Sequence, residues 1–315
     1  MQLLQKYSVD VNSQGKELRY FGTPMFPITT FYKDLNNYMG DEVIWHWHEE
    51  IEFFLVIYGE AYAGLGSSNY ILKSGEGIFV NANSLHTFKI NKGDSCIFKS
   101  IIFHPNIISG APESVFEQKF VLPLLSCSQI EGVKLSPEIK WQFKIIQNIR
   151  SICESDYKRE DGYEWQIREL LLSAWYEIFQ NMKSNIDSPD VRQSLSKTRA
   201  KKMLSFIEAN YENPIGLKNI ADSANISERE CSRCFKKIIG TSPIIYLMKY
   251  RVSVASRLLL DTDMTITEIC YAVGFKSPSY FIKIFKQYIQ SSPQSYRKNM
   301  KNNINFSLYH NNLFC

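Results

Sequence analysis

Long apolar runs are absent from the 315-residue sequence, and none approaches the ~18 residues that a membrane-spanning helix needs. Residues 1–15 are polar and lack the apolar centre of a signal peptide. The seven cysteines form no paired Cys-x-x-Cys sets, and Cys231 and Cys234 alone have that spacing. These absences predict a soluble, cytoplasmic protein without a membrane partner. Both cysteines are interpreted as buried thiols rather than as a metal or redox pair.

Charge is distributed unevenly along the chain. The net charge is +4, but residues 198–301 hold 17 Lys and Arg against 8 Asp and Glu, whereas the remainder holds 19 against 24. A length of 315 residues suggests about two domains. A basic C-terminal domain joined to an acidic N-terminal one indicates a polyanionic partner for the C-terminal part alone.

The first 135 residues carry a β pattern. Short runs rich in β-branched and aromatic residues are separated by Gly, Asn, Ser and Lys, as in an antiparallel sandwich or barrel. The predicted strands are 51–58, 61–65, 70–72, 77–80 and 96–103.

The most distinctive stretch of this region is residues 40–52. On a strand, alternation would place His46, His48 and Glu52 on one face and Trp45 and Trp47 on the other. Gly40 precedes these residues and Gly59 follows them. The spacing from Gly40 to Gly59 resembles the first motif of the cupin barrels, and residues 75–86, ending in His86, resemble the second. Asn81 and Asn83 depart from the second motif, where proline and glycine are usual.

In metal-binding cupins these three histidines and the glutamate are ligands, a set that suits Fe, Mn, Ni or Zn. The alternatives are a hydrogen-bonded polar network and a small-molecule pocket. The spacing does not show that the side chains converge, so we interpret His46, His48, Glu52 and His86 as an effector-binding site with no metal and no cofactor.

Residues 136–183 change to a helical period. One helix is predicted around Trp141–Ile149, started by Ser136 as a cap with Pro137 in its first turn, and a second over Tyr163–Met182. This helical pair could cover the barrel or form a dimer, for which Leu170, Leu171 and Trp175 would suit the interface. The polar residues 184–197 that follow are predicted to be an interdomain linker.

An internal repeat occupies residues 198–300. Ile220 and Ala221 belong to an apolar stripe that recurs 49 residues later at Ile269 and Cys270. From there the offset becomes 50, so that Ser227, Phe235, Pro243 and Tyr246 match Ser277, Phe285, Pro293 and Tyr296. Each copy is predicted to be a helix, a tight turn near Asn225 or Gly274, and a second helix. Twenty helical residues between the copies would span ~30 Å, close to one turn of B-DNA.

The second helix of the first copy has one apolar and one basic side. Ser227 is predicted to cap it, and Glu230 to complete a capping box. Cys231, Cys234 and Phe235 form the apolar stripe, which leaves a polar, arginine-containing face exposed. Such a face suits insertion into the major groove of DNA.

Residues 199–298 resemble the DNA-binding region of AraC-type transcription regulators. The resemblance is carried by residues 220–222, 233–237, 240–243, 266–275 and 279–286. It implies an α+β multidomain protein: a cupin-like barrel with a helical pair, then an all-α domain with tandem helix-turn-helix motifs. By resemblance, base contacts fall on Arg229, Ser232, Arg233, Pro278, Ser279 and Lys283, and Lys236, Lys237 and Lys286 contact phosphates or are merely solvated.

The resemblance further implies a homodimeric activator that works with RNA polymerase on promoter DNA and responds to a small molecule, expected to be a carbohydrate. It is not expected to be an enzyme. The alternatives are a metal-dependent cupin enzyme fused to a DNA-binding domain, and a non-specific nucleic-acid binder. No role is predicted for residues 301–315.

Overall fold

The computed structural model describes residues 16–17, 21–66, 68–127, 129–186 and 191–298. The segment 301–315 therefore lies outside the described residues. The chain divides into two compact units, one of residues 16–35 and 42–198 and the other including residues 199–298. No helix in the described ranges is long and apolar enough to cross a membrane.

The first unit is built on a seven-stranded antiparallel sheet. Its order is β1-β6-β3-β5-β7, with β2 also paired to β6 and β4 to β3. The strands are β1 Ile28–Asp34, β2 Glu42–His46, β3 Ile51–Leu65, β4 Ser68–Lys73, β5 Gly77–Val80, β6 His86–Phe103 and β7 Gly132–Leu135. The predicted antiparallel barrel fold is confirmed.

Two of the strands are longer than the sequence pattern suggested. The runs 51–58 and 61–65 belong to one strand, β3, because its pairing with β6 shifts register around Gly59 instead of ending there. Gly59 has φ +84°, and a Cβ at this position would lie 2.3 Å from the carbonyl oxygen of Ser95. The glycine therefore marks a β-bulge, which only a residue without a side chain can form so tightly.

The two faces of β3 have different partners. Ile51, Phe53 and Leu55 belong to a core shared with the helices that follow the sheet. On the opposite face Phe54 stacks on Phe88 and Phe98, with ring centroids 4.0 and 4.5 Å apart. The α-helices that follow the sheet in the described part of the unit are α1 Asn106–Ser109, α2 Leu122–Leu125, α3 Lys140–Lys158 and α4 Tyr163–Met182.

The apolar face of α4 packs mainly on α3 and reaches the sheet through Trp175, whose ring contacts that of Phe79. Leu171 and Trp175 are buried, Leu170 packs against the same core, and the Trp175 indole donates a hydrogen bond to the carbonyl oxygen of Phe120 at 2.9 Å. Burial of each large side chain contributes about 1.5–3 kcal/mol. These residues are thus not an exposed dimer interface, because the fold of their own chain uses them.

The start of α3 differs from the prediction. The helix begins at Lys140 rather than at Pro137, and no side chain caps it. The backbone N–H of Ser136 instead donates to Oε1 of Gln142 at 2.7 Å, and Pro137 lies in the turn between β7 and the helix.

The second unit is helical. Its helices are the part of α5 (Val191–Asn210) from residue 199 onward, together with α6 Leu217–Ser223, α7 Glu228–Ile239, α8 Pro243–Asp261, α9 Ile266–Ala272 and α10 Pro278–Ile289. The predicted linker 184–197 therefore has helical backbone from Val191 onward. The turns between α6 and α7 and between α9 and α10 contain Asn225 at φ 53° and Gly274 at φ 82°. The predicted tandem helix-turn-helix fold is confirmed.

Candidate functional site

The barrel brings together the four side chains that the sequence singled out. His46 ends β2 opposite His86 at the start of β6, while Glu52 lies near the start of β3. All four residues are buried, and one nitrogen or oxygen atom of each lies within 4.8 Å of those of the other three. Strand pairing therefore brings the four side chains together, which their spacing in the sequence alone could not establish.

Glu52 lies at the centre of the cluster. Its Oε2 is 3.1 Å from Nε2 of His86 and 3.6 Å from Nε2 of His48. Burial opposes ionisation of Glu52, but the two facing imidazoles outweigh burial and lower the pKa of the carboxyl. Burial lowers the pKa of His46 well below its ordinary value, and the neighbouring His86 and His48 lower it further.

The backbone fixes the orientation of all three imidazole rings. Nδ1 of His46, His48 and His86 lies 2.8, 3.1 and 2.8 Å from the carbonyl oxygens of residues 44, 50 and 84. A carbonyl oxygen can only accept a hydrogen bond, so each Nδ1 donates, and Nε2 of each ring is left to carry either a proton shared with a carboxylate or a lone pair for a metal ion.

These Nε2 atoms fit a metal ion better than a hydrogen-bonded network. Nε2 of His48 and of His86 is buried without a hydrogen-bond partner among the described residues. Glu52 is held from behind by Ser100, whose hydroxyl donates to Oε1 at 2.6 Å. Imidazole nitrogens fixed through Nδ1 and a carboxylate fixed through its other oxygen are the ligands of divalent transition metals. His46, His48, Glu52 and His86 would hold such an ion.

Sequence reasoning missed a fifth side chain at this cluster. Oε2 of Glu17 lies 3.6 Å from Nε2 of His46, and the Glu17 side chain is only 10% exposed. The main-chain N–H of Glu17 donates to the carbonyl oxygen of Trp47 at 2.9 Å. No motif includes Glu17, so no local signal could have identified it.

The second candidate site is the exposed side of α7 and α10. Arg229, Arg233, Lys236 and Lys237 are exposed on α7 and Ser232 is half-buried; on α10 Ser279, Lys283 and Lys286 are exposed and Pro278 is half-buried. Cys231 and Cys234 are buried, as predicted, and burial raises the pKa of the Cys231 thiol to about 11. A thiol protonated at neutral pH is a poor metal ligand or nucleophile.

Glu230 does not complete the predicted capping box. Ser227 caps α7 by accepting a hydrogen bond from the backbone N–H of Glu230 at 3.2 Å. The Glu230 carboxylate instead accepts two hydrogen bonds from the Arg233 guanidinium, at 2.8 and 2.9 Å. Arginine is a stronger partner for a carboxylate than the backbone N–H of the cap, so this pair forms in place of the box.

Models of known protein families match both the barrel region and the helical region of the chain. The AraC-like ligand binding domain model matches residues 31–148, and a helix-turn-helix domain model matches residues 220–299. The chain belongs to the AraC-type transcription regulators, which bind DNA and carry a ligand-binding domain.

Similar proteins include other transcription regulators. The HTH-type transcriptional regulator YdeC of Bacillus subtilis is 27% identical over 94% of this chain and 99% of its own length. The lactose operon transcription activator of Staphylococcus xylosus is 26% identical over 72% of this chain and 82% of its own. A crystal structure of an AraC-type regulator from Chromobacterium violaceum is 30% identical, covers 33% of this chain and 94% of its own, and has a TM-score of 0.32.

Proposed function

We propose that this protein is a cytoplasmic, sequence-specific activator of transcription in which a small molecule bound to the barrel controls promoter binding. The proposal is carried by one observation: two helix-turn-helix motifs of the same size each present an exposed basic helix. In the proposed organisation, residues 1–135 bind the effector and residues 136–183 mediate dimerisation. Residues 184–197 are the interdomain linker, and residues 198–300 bind DNA.

The two basic helices are proposed to lie in consecutive major grooves. The connecting helix α8 has 19 residues and is therefore about 28 Å long. Ser242 caps it and Pro243 occupies its first turn, so it has a defined start. Consecutive major grooves on one side of B-DNA lie ~34 Å apart. A rigid connecting helix of this length can hold the two basic helices near that spacing.

The first recognition helix, α7, is proposed to supply most of the base contacts. Arg229 and Arg233 suit bidentate bonds to guanine, and Ser232 lies between them on the same face. The ion pair with Glu230 holds the Arg233 guanidinium in one orientation, although its side chain is 72% exposed. Ordering a side chain before binding reduces the entropy that binding must overcome.

The second recognition helix, α10, is proposed to depend more on phosphate contacts. Pro278 has no side-chain donor, whereas Ser279 and Lys283 are exposed and can donate. Lys286, like Lys236 and Lys237 on α7, is exposed one turn further along its helix, where a lysine can contact the phosphate backbone.

The proposed effector site is the cluster of His46, His48, Glu52 and His86. A carbohydrate effector is supported by the lactose operon activator among the similar proteins. The alternative of a metal-dependent cupin enzyme is based on the possible metal ligands of this cluster. The similar proteins, however, are transcription regulators. We therefore propose that the chain is not an enzyme.

Dimerisation is proposed to use the outward face of α4. Trp165, Leu172 and Tyr176 are 70%, 39% and 54% exposed, and their spacing of seven and four residues places them on one side of the helix. An apolar stripe of this kind is expected to be covered by a partner, here a second copy of the chain. RNA polymerase is the further partner expected of an activator.

Nuclease footprinting tests the DNA-binding proposal. Purified full-length protein would be tested on DNA upstream of its own gene, together with the Arg233→Ala variant and an Arg150→Ala control that removes an exposed arginine from α3. We expect wild type and Arg150→Ala to protect two major-groove segments one helical turn apart, and Arg233→Ala to lose the segment contacted by α7. Equal protection by all three proteins would contradict the proposal.

A further inference from the structure

The barrel cluster gathers imidazole nitrogens and carboxylate oxygens that suit a cation. Nδ1 of each imidazole faces a backbone carbonyl oxygen, which leaves Nε2 directed at the cluster. Carboxylate oxygens face these nitrogens at 3.1–3.6 Å. At such distances the buried Nε2 atoms and carboxylates are stabilised by a proton or a metal ion lying between them.

Glu17 brings a second carboxylate to this cluster from a different part of the chain. Its Oε2 lies as far from Nε2 of His46 as Oε2 of Glu52 lies from Nε2 of His48, 3.6 Å in both cases. The segment is also attached next to the site, since Lys16 pairs with Glu49 at 2.7 Å and the Glu17 N–H bonds to Trp47. Phe21 packs edge-on against His48 with ring centroids 5.5 Å apart.

We propose that Glu17 is the fifth protein ligand of the divalent first-row transition-metal ion that His46, His48, Glu52 and His86 would hold. The ligands are Nε2 of His46, His48 and His86 and one carboxylate oxygen each of Glu52 and Glu17. Ligand atoms bound at about 2.0–2.2 Å to one ion lie within about 4.4 Å of each other. Those of His46, His48, Glu52 and His86 lie within 4.8 Å of one another, and Oε2 of Glu17 lies 3.6 Å from Nε2 of His46.

The donor set also indicates which ions the site prefers. Structural zinc sites are almost always four-coordinate, whereas three imidazoles and two carboxylates suit the higher coordination of Mn²⁺, Fe²⁺, Co²⁺ or Ni²⁺. The proposal rests on the proposed function, which assigns the effector site to this cluster. It adds a metal ion to that site. A bound ion would fasten residues 16–17 to the barrel and make the position of this segment depend on the metal.

Cobalt titration of the full-length protein tests the proposal. Chelator-treated protein would be titrated with Co²⁺, measuring its visible absorption and its affinity by competition with a chromophoric chelator. The variants are Glu17→Gln, Glu52→Gln and the control Asp94→Asn, which removes an exposed carboxylate from β6. We expect one Co²⁺ per chain for wild type and for Asp94→Asn. We expect Glu17→Gln to weaken Co²⁺ binding about 10- to 100-fold and to change the absorption spectrum.

Limited trypsin digestion supplies a readout of the segment itself. Co²⁺ should slow cleavage after Lys16 in wild type but not in Glu17→Gln, and thermal unfolding would establish that each variant is folded. Lack of stoichiometric Co²⁺ in wild type would overturn the metal site. Unchanged affinity, spectrum and cleavage in Glu17→Gln, with binding lost in Glu52→Gln, would overturn the role of Glu17. DNA footprints recorded on the same metal-free protein test the proposed function separately.

Discussion

The two helix-turn-helix motifs have the same architecture but different surfaces. Their first helices both have seven residues and their second helices twelve, and Ser227 and Ser277 cap α7 and α10 in the same way. Arginines dominate the exposed side of α7, whereas Tyr280 and Ile282 are exposed on α10. The residues that the two copies share are therefore those that stabilise the fold of the motif. The residues that differ lie on the surface available to DNA.

The cores beneath the two motifs also differ. In the first copy Tyr246 donates a hydrogen bond to the buried Glu208 at 2.8 Å, and the other oxygen of Glu208 has no partner among the described residues. In the second copy Tyr296, the match of Tyr246, packs on the ring of Phe285, just as Tyr246 packs on the ring of Phe235. The first copy thus contains an ionisable group in its core, which makes the stability of the helical unit depend on pH.

The matching phenylalanines should be equally important for stability. Phe235 and Phe285 are fully buried, so substitution of either by alanine is expected to lower the free energy of unfolding by about 3–5 kcal/mol. Thermal unfolding would be followed by circular dichroism. All five tryptophans lie outside residues 199–298, so a transition without a change in tryptophan fluorescence belongs to the helical unit.

The exposed Gln287→Ala change on α10 is the control for these substitutions and should alter stability by less than about 0.5 kcal/mol. A large difference between Phe235→Ala and Phe285→Ala would show that the two copies do not share the same packing, despite their matched sequences.

Glu208 should make the helical unit less stable as the pH rises. Burial raises its pKa from 4.5 to about 8, so the folded state keeps a proton that the unfolded state releases between these values. The contribution of Glu208 to the free energy of unfolding is therefore present below pH 4.5 and is lost progressively as the pH rises to about 8. The expected loss is a few kcal/mol, because one pKa unit corresponds to about 1.4 kcal/mol.

Denaturant unfolding between pH 5 and 8 would measure this slope in wild type and in Glu208→Gln, which cannot ionise. We expect the variant to have a flatter profile, while the exposed Asp261→Asn change should leave the wild-type slope in place. A Glu208→Gln profile parallel to that of wild type would assign the pH dependence to other groups.

The smallest effect is expected on α10. Lys283→Ala should weaken binding to operator and to unrelated DNA by similar factors and reduce the slope of log affinity against log salt by about 1, as loss of a phosphate contact does. Arg233→Ala should instead reduce operator binding selectively. Fluorescence anisotropy at several salt concentrations would separate the two effects, and a selective loss in Lys283→Ala would show that α10 also contacts bases.

Local sequence patterns predicted much of the helical unit. The repeat, the serine caps and the buried stripe of Cys231, Cys234 and Phe235 depend on residues within one or two helical turns. The same patterns could not predict the hydrogen-bond partner of the Glu230 carboxylate. The choice between the backbone N–H of the cap and the Arg233 guanidinium depends on side-chain geometry.

In the barrel, the sequence by itself determined the strand type, the spacing of the two histidine motifs and the amphipathic helices. Only the tertiary structure decided that His46, His48, Glu52 and His86 converge, that Glu17 joins them, and that Leu171 and Trp175 pack in the core of their own chain. The physical reason is that periodicity specifies which side of an element is apolar, but burial and electrostatic contact depend on segments far apart in the chain. Those contacts exist only after the strands have paired.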